Sequence, residues 1–112
     1  MITIALAIAV CAAPPAPRVT CVVDGDTLWW QGEKLRIAEI DTPEMNGRCQ
    51  VERELARQAQ ARLVVLLNTR GVRFKRVGKD RYGRTLASFG AVAEQLVIEG
   101  LAHRWPSRKS WC

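Results

Sequence analysis

Three acidic residues and one arginine stand out between residues 22 and 44. Asp26 lies near the start of this stretch, Asp41 and Glu44 lie at its end, and Arg36 lies in a largely apolar run between them. Carboxylate oxygens are the ligands that hard cations prefer, and a guanidinium group grips carboxylate or phosphate oxygens in pairs. The chemistry indicated by these residue types is the binding of a cation, of an anion, or of both.

The elements that must position these residues are two strand-forming runs joined by a tight turn at residues 31–33, which predicts a β-hairpin. Folding the stretch about Gly32 sets Asp26 opposite roughly residue 38. Asp41 then lies ~10 Å further along, at ~3.3 Å per residue. Two carboxylates that share a cation must each approach it to ~2.3–2.6 Å. The chain must therefore bend or bulge near residues 38–40, and the same bend is needed to bring Arg36 and Asp41 to one side.

Arg36 carries a charge among apolar neighbours, which costs free energy unless the charge is paired. Asp41, Glu44 or a phosphate group must meet it. For the acidic start of the stretch a simpler interpretation exists, because residues 24–27 contain Asp-Gly, a common turn dipeptide. The second acidic group at residues 41–44 favours cation ligands over a plain turn.

The chain resembles the staphylococcal nuclease-like (thermonuclease) family. Four segments carry the resemblance in the family's order, and together they span about 80 of the 112 residues. They are D-G-D-T at 24–27, the arginine strand leading into I-D-T-P-E at 40–44, D-R-Y-G-R at 80–84, and E-G-L-A at 99–102. Each segment alone is a weak signal, whereas four in sequence make a specific match.

The resemblance implies a calcium site. The matching positions are Asp26 and Asp41, which supply side-chain oxygens to Ca²⁺, and Thr42, which supplies its backbone carbonyl. An all-oxygen set of this kind suits a hard cation that accepts irregular geometry and completes its coordination with water.

The resemblance also implies the remaining site residues. Glu44 matches the general base that takes a proton from the attacking water, and Arg36 and Arg84 match the two arginines that bind the phosphodiester. Arg81 and Tyr82 match positions that hold the flanking phosphate and the nucleotide. Read without the resemblance, Glu44 is an exposed glutamate after a proline, Arg84 is a surface charge, and Tyr82 is a packing residue.

The function implied is a calcium-dependent endonuclease that hydrolyses single-stranded or frayed DNA and RNA with low sequence specificity, leaving 3′-phosphate and 5′-hydroxyl ends. One alternative is a nucleic-acid-binding OB module that has lost catalysis, although such modules usually lose some of the acids and arginines retained here. A third interpretation is a small exported domain stapled by its cysteines.

The chain departs from the family beyond its second helix. The family prototype has tyrosines there that stack on the substrate base, whereas this chain has Arg104-Trp105-Pro106. Cations alternate with Trp105 and Trp111 in this tail, as in a base-stacking surface. The same tryptophans are also suited to capping the open end of the core.

The predicted fold is α+β: a five-stranded Greek-key OB-fold barrel with two α-helices. The pattern predicts strands over 18–24, 27–30, 35–40, 71–77 and 84–89, and helices over 51–68 and 91–99. The first helix has apolar residues at helical spacing, namely Val51, Leu55, Ala59, Leu63, Leu66 and Leu67. Strand counting permits the OB-fold, and the resemblance implies it.

Composition points to a polyanionic partner. Seventeen Lys and Arg residues against eleven Asp and Glu give a net charge of +6, and 13 of the 17 cations are arginine. The planar guanidinium fork suits phosphate oxygens, so DNA and RNA are the expected partners of what we expect to be a monomer. Many small proteins are basic without binding nucleic acid.

Residues 1–17 are predicted to be a signal peptide or leader, and residues 18–112 the nuclease-like domain. The first thirteen residues are almost all apolar and too few to span a bilayer, and small residues and prolines follow them. The expectation is a secreted or periplasmic protein without stable membrane association in its mature form, with an uncleaved membrane anchor as the alternative. Cys49 is a candidate partner for Cys112, and Cys21 is an alternative one.

Overall fold

The computed structural model describes residues 7–112. Within them the chain forms seven strands and two helices: β1 (Cys21–Asp24), β2 (Thr27–Trp30), β3 (Glu33–Ile37), β4 (Ile40–Asp41), α1 (Gln50–Arg70), β5 (Lys75–Lys79), β6 (Thr85–Ser88), α2 (Ala91–Ile98) and β7 (His103–Arg104).

The β2–β3 hairpin is formed as predicted. Antiparallel pairing sets Leu28 opposite Leu35 and Thr27 opposite Arg36. Gln31 and Gly32 form the two-residue turn, and both have positive φ, 49° and 84°. Two-residue hairpin turns of this kind match the right-handed twist of the flanking strands. The hairpin places both ends of the acidic stretch at one end of the sheet.

Five strands form one sheet in the order β1-β2-β3-β6-β5, with β3 and β6 parallel, and a separate small sheet pairs β4 with β7. The predicted α+β class, five-stranded sheet and two helices are confirmed. The predicted closure into a barrel is wrong for the described residues, because β1 and β5 do not pair. The free edge of β1 is instead bound by the preceding segment: Val22 N–H donates to the Ala9 carbonyl at 2.8 Å, and Cys11 N–H donates to the Val22 carbonyl at 2.9 Å.

Helix α1 packs across the sheet and supplies much of the core. Cys49 is its N-cap, and Gly71 follows its end with φ of 82°. The predicted apolar positions Ala59 and Leu63 are fully buried, as are the sheet residues they face. The prediction that Val51 lies on the apolar face of the helix is wrong, because Val51 is 56% exposed. The first turn instead buries Glu52, whose carboxylate bonds to backbone N–H groups before the helix, and the buried apolar positions start at Ala56.

The β5–β6 pair lies at the far edge of the sheet. The predicted strand over 71–77 begins later, at Lys75, and all its residues are exposed, including Val77. Phe74 just before it stacks on Phe89 at 5.4 Å between ring centroids, and this contact closes the core at that end.

Both disulfides that four cysteines allow are present: Cys49–Cys112, the predicted candidate pairing, and Cys11–Cys21. The division of the chain at residue 17 stays a prediction, and residues 1–6 lie outside the described residues. Ile8 is buried in the core, and its backbone exchanges two hydrogen bonds with the Asn68 side chain. Removal of residues 1–17 would break these contacts. No helix within residues 7–112 has the length and apolarity to cross a bilayer.

Candidate active site

The bend that the sequence required lies between β3 and β4, and the prediction is confirmed. Strand β3 ends at Ile37, and β4 starts at Ile40 in the second sheet. Nη1 of Arg36 donates to the carbonyls of Ile37 at 2.6 Å and Ile40 at 2.9 Å. The guanidinium therefore closes the bend. The register differs by one residue from the prediction, because Ile37 rather than residue 38 bonds to the Asp26 carbonyl, at 2.8 Å.

Both predicted aspartates meet Arg36. Its Nη2 lies 3.5 Å from Oδ2 of Asp26 and 3.7 Å from Oδ1 of Asp41. The side chains of Arg36, Asp26 and Asp41 are 12%, 11% and 30% exposed. The expectation that Arg36 must be paired is confirmed, with Asp41 among the expected partners and Asp26 an additional one. One guanidinium thus holds acids from two ends of the stretch together.

Local hydrogen bonds fix the Asp26 carboxylate. Its Oδ1 accepts from the Thr27 hydroxyl at 3.0 Å, and its Oδ2 accepts from the Thr42 backbone N–H at 3.2 Å. The Asp24 carboxylate in turn accepts from the Asp26 N–H at 3.1 Å. The segment at residues 24–27 is therefore both a turn and a scaffold for Asp26, so the two sequence interpretations are compatible.

Gly25 lets this turn approach helix α1 closely. A Cβ at Gly25 would lie 2.7 Å from Cβ of Ala59 and 2.9 Å from Cγ2 of Thr42, closer than such carbon atoms can approach. The glycine is therefore required by space at this position, and it ties the acidic turn to both the helix and the second acidic segment.

The acids raise one another's pKa. Burial, followed by the charge of Asp26, raises the pKa of Asp24 to about 7 and also raises the pKa of Asp41. Partial desolvation and the charges of Asp26 and Asp41 raise the pKa of Glu44, while Arg36 acts in the opposite direction. Like charges crowded around one guanidinium disfavour full ionisation. A bound cation would relieve this repulsion.

The donor set fits a hard cation. Asp26 and Asp41 offer carboxylate oxygens and Thr42 a backbone carbonyl, all of the oxygen type that Ca²⁺ prefers. Within residues 7–112 no group of three or more His, Cys, Asp or Glu side chains forms a ready ligand cluster. Two carboxylates and a carbonyl leave the remaining coordination positions to water, as Ca²⁺ accepts.

Glu44 is exposed, and its backbone is held by Glu52 of helix α1. Oε2 of Glu52 accepts from the Glu44 N–H at 3.1 Å, and Oε1 accepts from the Arg48 N–H at 3.2 Å. The sequence analysis did not predict this role of Glu52. The sequence signal for it is a glutamate at the third helical position, from which a carboxylate can reach back to backbone N–H groups at the start of a helix.

The segment 80–84 carries the other predicted residues. Asp80 accepts from Nε of Arg84 at 2.6 Å and from the backbone N–H of Tyr82 at 2.9 Å. The Tyr82 ring is 70% exposed and lies 5.1 Å from Cζ of Arg81 and 5.9 Å from Cζ of Arg84. Arg84 therefore has a fixed side chain, with its Nε engaged by a carboxylate.

One cavity brings the predicted phosphate-binding residues together. This active-site cavity, of about 380 Å³, is lined by Arg36, Asp80, Arg81, Tyr82, Arg84 and Trp105, among others. Arg36 reaches it from β3, the residues of 80–84 from the loop before β6, and Trp105 from the end of β7. The two arginines matched to phosphate binding, from segments almost 50 residues apart, thus share one site.

The two tail tryptophans differ in placement. Trp105 is 57% exposed, lines the cavity, and lies 5.5 Å from Cζ of Arg36. It therefore lies at the surface of the cavity and does not cap the core. Trp111 stacks on His103, with ring centroids 3.8 Å apart, and His103 pairs with Asp41 in the second sheet.

The chain is similar in sequence to known proteins. Residues 34–110 match the family model described as staphylococcal nuclease homologue. A protein of Haemophilus influenzae called an uncharacterized endonuclease is 39% identical over 75 residues, which cover 62% of this chain and 39% of that protein. The chain therefore spans well under half the length of this relative.

Proposed function

Because the chain belongs to the family of staphylococcal nuclease homologues, we propose that it is a calcium-dependent endonuclease. Its substrates are single-stranded or frayed DNA and RNA, cleaved with little sequence specificity. The observation that carries the proposal is the position of Arg36: its guanidinium contacts Asp26 and Asp41 and at the same time lines the cavity that contains Arg84. A cation site and a phosphate site are therefore adjacent.

Asp26, Asp41 and the carbonyl of Thr42 would hold the cation. When bound, Ca²⁺ supplies positive charge that polarises a phosphate oxygen and favours the attack of water. The protein's own contribution is to keep the two carboxylates in place, through Arg36 and through the hydrogen bonds to Asp26.

Glu44 is the proposed general base. Burial and the neighbouring acids raise the pKa of its carboxylate, which makes it a better proton acceptor than an ordinary glutamate. It takes one proton from a water molecule as the water oxygen forms a bond to phosphorus. The bond from phosphorus to the 5′-oxygen breaks, and that oxygen takes up a proton from solvent. The products are 3′-phosphate and 5′-hydroxyl ends.

The arginines stabilise the charge that develops on the phosphate. Arg36 and Arg84 lie in the same cavity, and each is held by a carboxylate before substrate arrives. Pre-positioned donors need no reorganisation as charge develops on the phosphoryl oxygens, which lowers the barrier more than it stabilises the bound substrate. Arg81 and Tyr82 contact the flanking phosphate and nucleotide, and Trp105 replaces the family's tyrosines as a surface for a base.

The experiment is cleavage of heat-denatured DNA by the purified chain, with calcium or with chelator. The expected result is fragments that carry 3′-phosphate ends with calcium and intact DNA with chelator. Intact DNA under both conditions, from a sample shown to be folded, would contradict the proposal. Binding without cleavage would instead identify an inactive nucleic-acid-binding module.

We also propose that the protein is exported to an oxidising compartment. The support is the Cys49–Cys112 disulfide, which lies outside the predicted leader, since disulfides persist in secreted and periplasmic proteins and are rare in the cytosol. Intact mass of protein recovered from the producing cells, with and without reduction, tests the disulfides and the removal of residues 1–17 together.

A further inference from the structure

A second cavity adjoins the active site and has no role in the proposed chemistry. This lateral cavity, of about 730 Å³, is lined by Trp29, Glu33, Lys34, Lys79, Tyr82 and Arg84, among others. Tyr82 and Arg84 also line the active-site cavity, so the two cavities meet at these side chains. A chain-like ligand could therefore pass from one to the other across the exposed Tyr82 ring.

The lateral cavity concentrates uncommitted positive charge. The chain has only four lysines, and two of them, Lys34 and Lys79, lie here. Neither forms an ion pair within 4 Å with any carboxylate of the described residues, whereas most of the nearby arginines are paired. Lys34 Nζ lies 5.9 Å from the Trp29 ring. Flexible lysines without a carboxylate partner are suited to phosphate groups whose exact positions vary.

The one carboxylate in this cavity is already neutralised. Glu33 accepts hydrogen bonds from Nε of Arg76 at 3.1 Å and from the Thr85 hydroxyl at 2.8 Å. These bonds lower the pKa of Glu33 to about 2, so that the group is ionised but paired. Its direct ion pair is therefore with Arg76, and it acts on Lys79 only from beyond ion-pair distance.

We propose that the lateral cavity binds the continuation of the single strand, with Lys34 and Lys79 each contacting a phosphate beyond the one that is cleaved. The inference rests on the proposed function for the identity of the ligand. The two cavities together would form an extended binding track. The enzyme would then bind strands that fill both cavities more tightly than it binds short fragments. Aromatic and cationic side chains that follow one another along a groove are typical of sequence-independent strand binding.

The test compares two double variants of equal charge. Lys34→Ala/Lys79→Ala removes the two lysines of the cavity, and the control Lys75→Ala/Arg57→Ala removes two exposed cations that line neither cavity. Binding of a fluorescent oligothymidylate of about 12 nucleotides, within the site sizes of small OB-fold proteins, is measured by anisotropy in chelator at several salt concentrations. A trinucleotide serves as the short probe.

We expect Lys34→Ala/Lys79→Ala to weaken binding of the longer strand about tenfold. The slope of log K against log salt should become less steep by about 1.4, because each phosphate contact to a single strand contributes about 0.7. Binding of the trinucleotide should change much less, and the control variant should retain most of the original slope.

Equal slopes for the two double variants would overturn the inference, as would an equal loss for the short and long strands. Competition by polyglutamate as effective as that by oligothymidylate would also overturn it, since the cavity would then recognise charge alone. Because binding is measured without calcium, the result is separate from catalysis. An inactive wild-type protein with the expected slopes would sink the proposed hydrolysis and leave the binding track standing.

Discussion

Replacement of Arg36 by Met is the substitution on which the arrangement of the acids depends most. It removes the guanidinium that contacts Asp26 at 3.5 Å and Asp41 at 3.7 Å, together with two hydrogen bonds to backbone carbonyls at the bend. Removing one partner of a buried charge pair costs about 3–5 kcal/mol, since the remaining charges stay buried and unpaired. The 30% exposure of the Asp41 side chain favours the lower end of this range.

Urea unfolding followed by tryptophan fluorescence measures this loss at neutral pH in chelator. Arg36→Met should lose about 3 kcal/mol of unfolding free energy, a large share of the ~5–15 kcal/mol typical of small domains. Arg36→Lys keeps a charge but not the planar fork, and it should lose less. Millimolar calcium should restore more stability to Arg36→Met than it adds to the wild type, because a cation neutralises the same carboxylates.

A double-mutant cycle with Asp41→Asn tests the cause of the loss. Without the Asp41 charge, Arg36→Met leaves less uncompensated charge behind, so its cost should fall by about 1 kcal/mol or more. A loss from Arg36→Met below about 1 kcal/mol in the original background would refute the pairing argument. So would a loss that is unchanged by Asp41→Asn and by calcium.

Three further predictions concern the scaffold. Gly25→Ala should destabilise the protein by about 1–3 kcal/mol through overpacking. Ala59→Gly, which costs about 1 kcal/mol in a helix, should cost less in the Gly25→Ala background than in the wild type in urea unfolding, because it removes one of the clashing carbons. Glu33→Gln should lower the urea midpoint at pH 7 but not at pH 2. The pKa of Glu33 is about 2 in the folded protein and 4.5 in the unfolded chain, so its ionised form stabilises the fold above pH 4.5, and this stability is lost as the pH falls to about 2. Cys112→Ser should cost about 4 kcal/mol under oxidising conditions, from the loop of 63 residues that the bond to Cys49 closes. Under reducing conditions, where both disulfides are open, wild type and Cys112→Ser should have equal midpoints.

Much of the fold could be predicted because its signals are local. The hairpin follows from two β-forming runs and a Gly at the turn, and helix α1 follows from apolar residues at helical spacing. The open sheet could not be predicted, since it depends on which segment binds the free edge of β1. The segment that does so includes Ala9 and Cys11, whose small and apolar neighbours are typical of a leader.

The site was predictable in its parts and less so in its arrangement. The need for a bend followed from the rise of ~3.3 Å per residue along a strand. The need for an ion-pair partner of Arg36 followed from its apolar neighbours in the sequence. That Asp26 joins Asp41 on the same guanidinium, and that Trp105 lies over Arg36, depend on contacts between distant segments. No periodicity in the sequence encodes them.

The most direct test of the account is one assay of Glu44→Gln and wild type on the same single-stranded oligonucleotide, measuring binding and cleavage together. Loss of a general base should slow cleavage by about 10²–10⁴-fold in calcium while binding stays within a few-fold of wild type. Cleavage by Glu44→Gln at the wild-type rate would contradict the role assigned to this carboxylate, and absence of cleavage by folded wild type in calcium would contradict the enzyme itself.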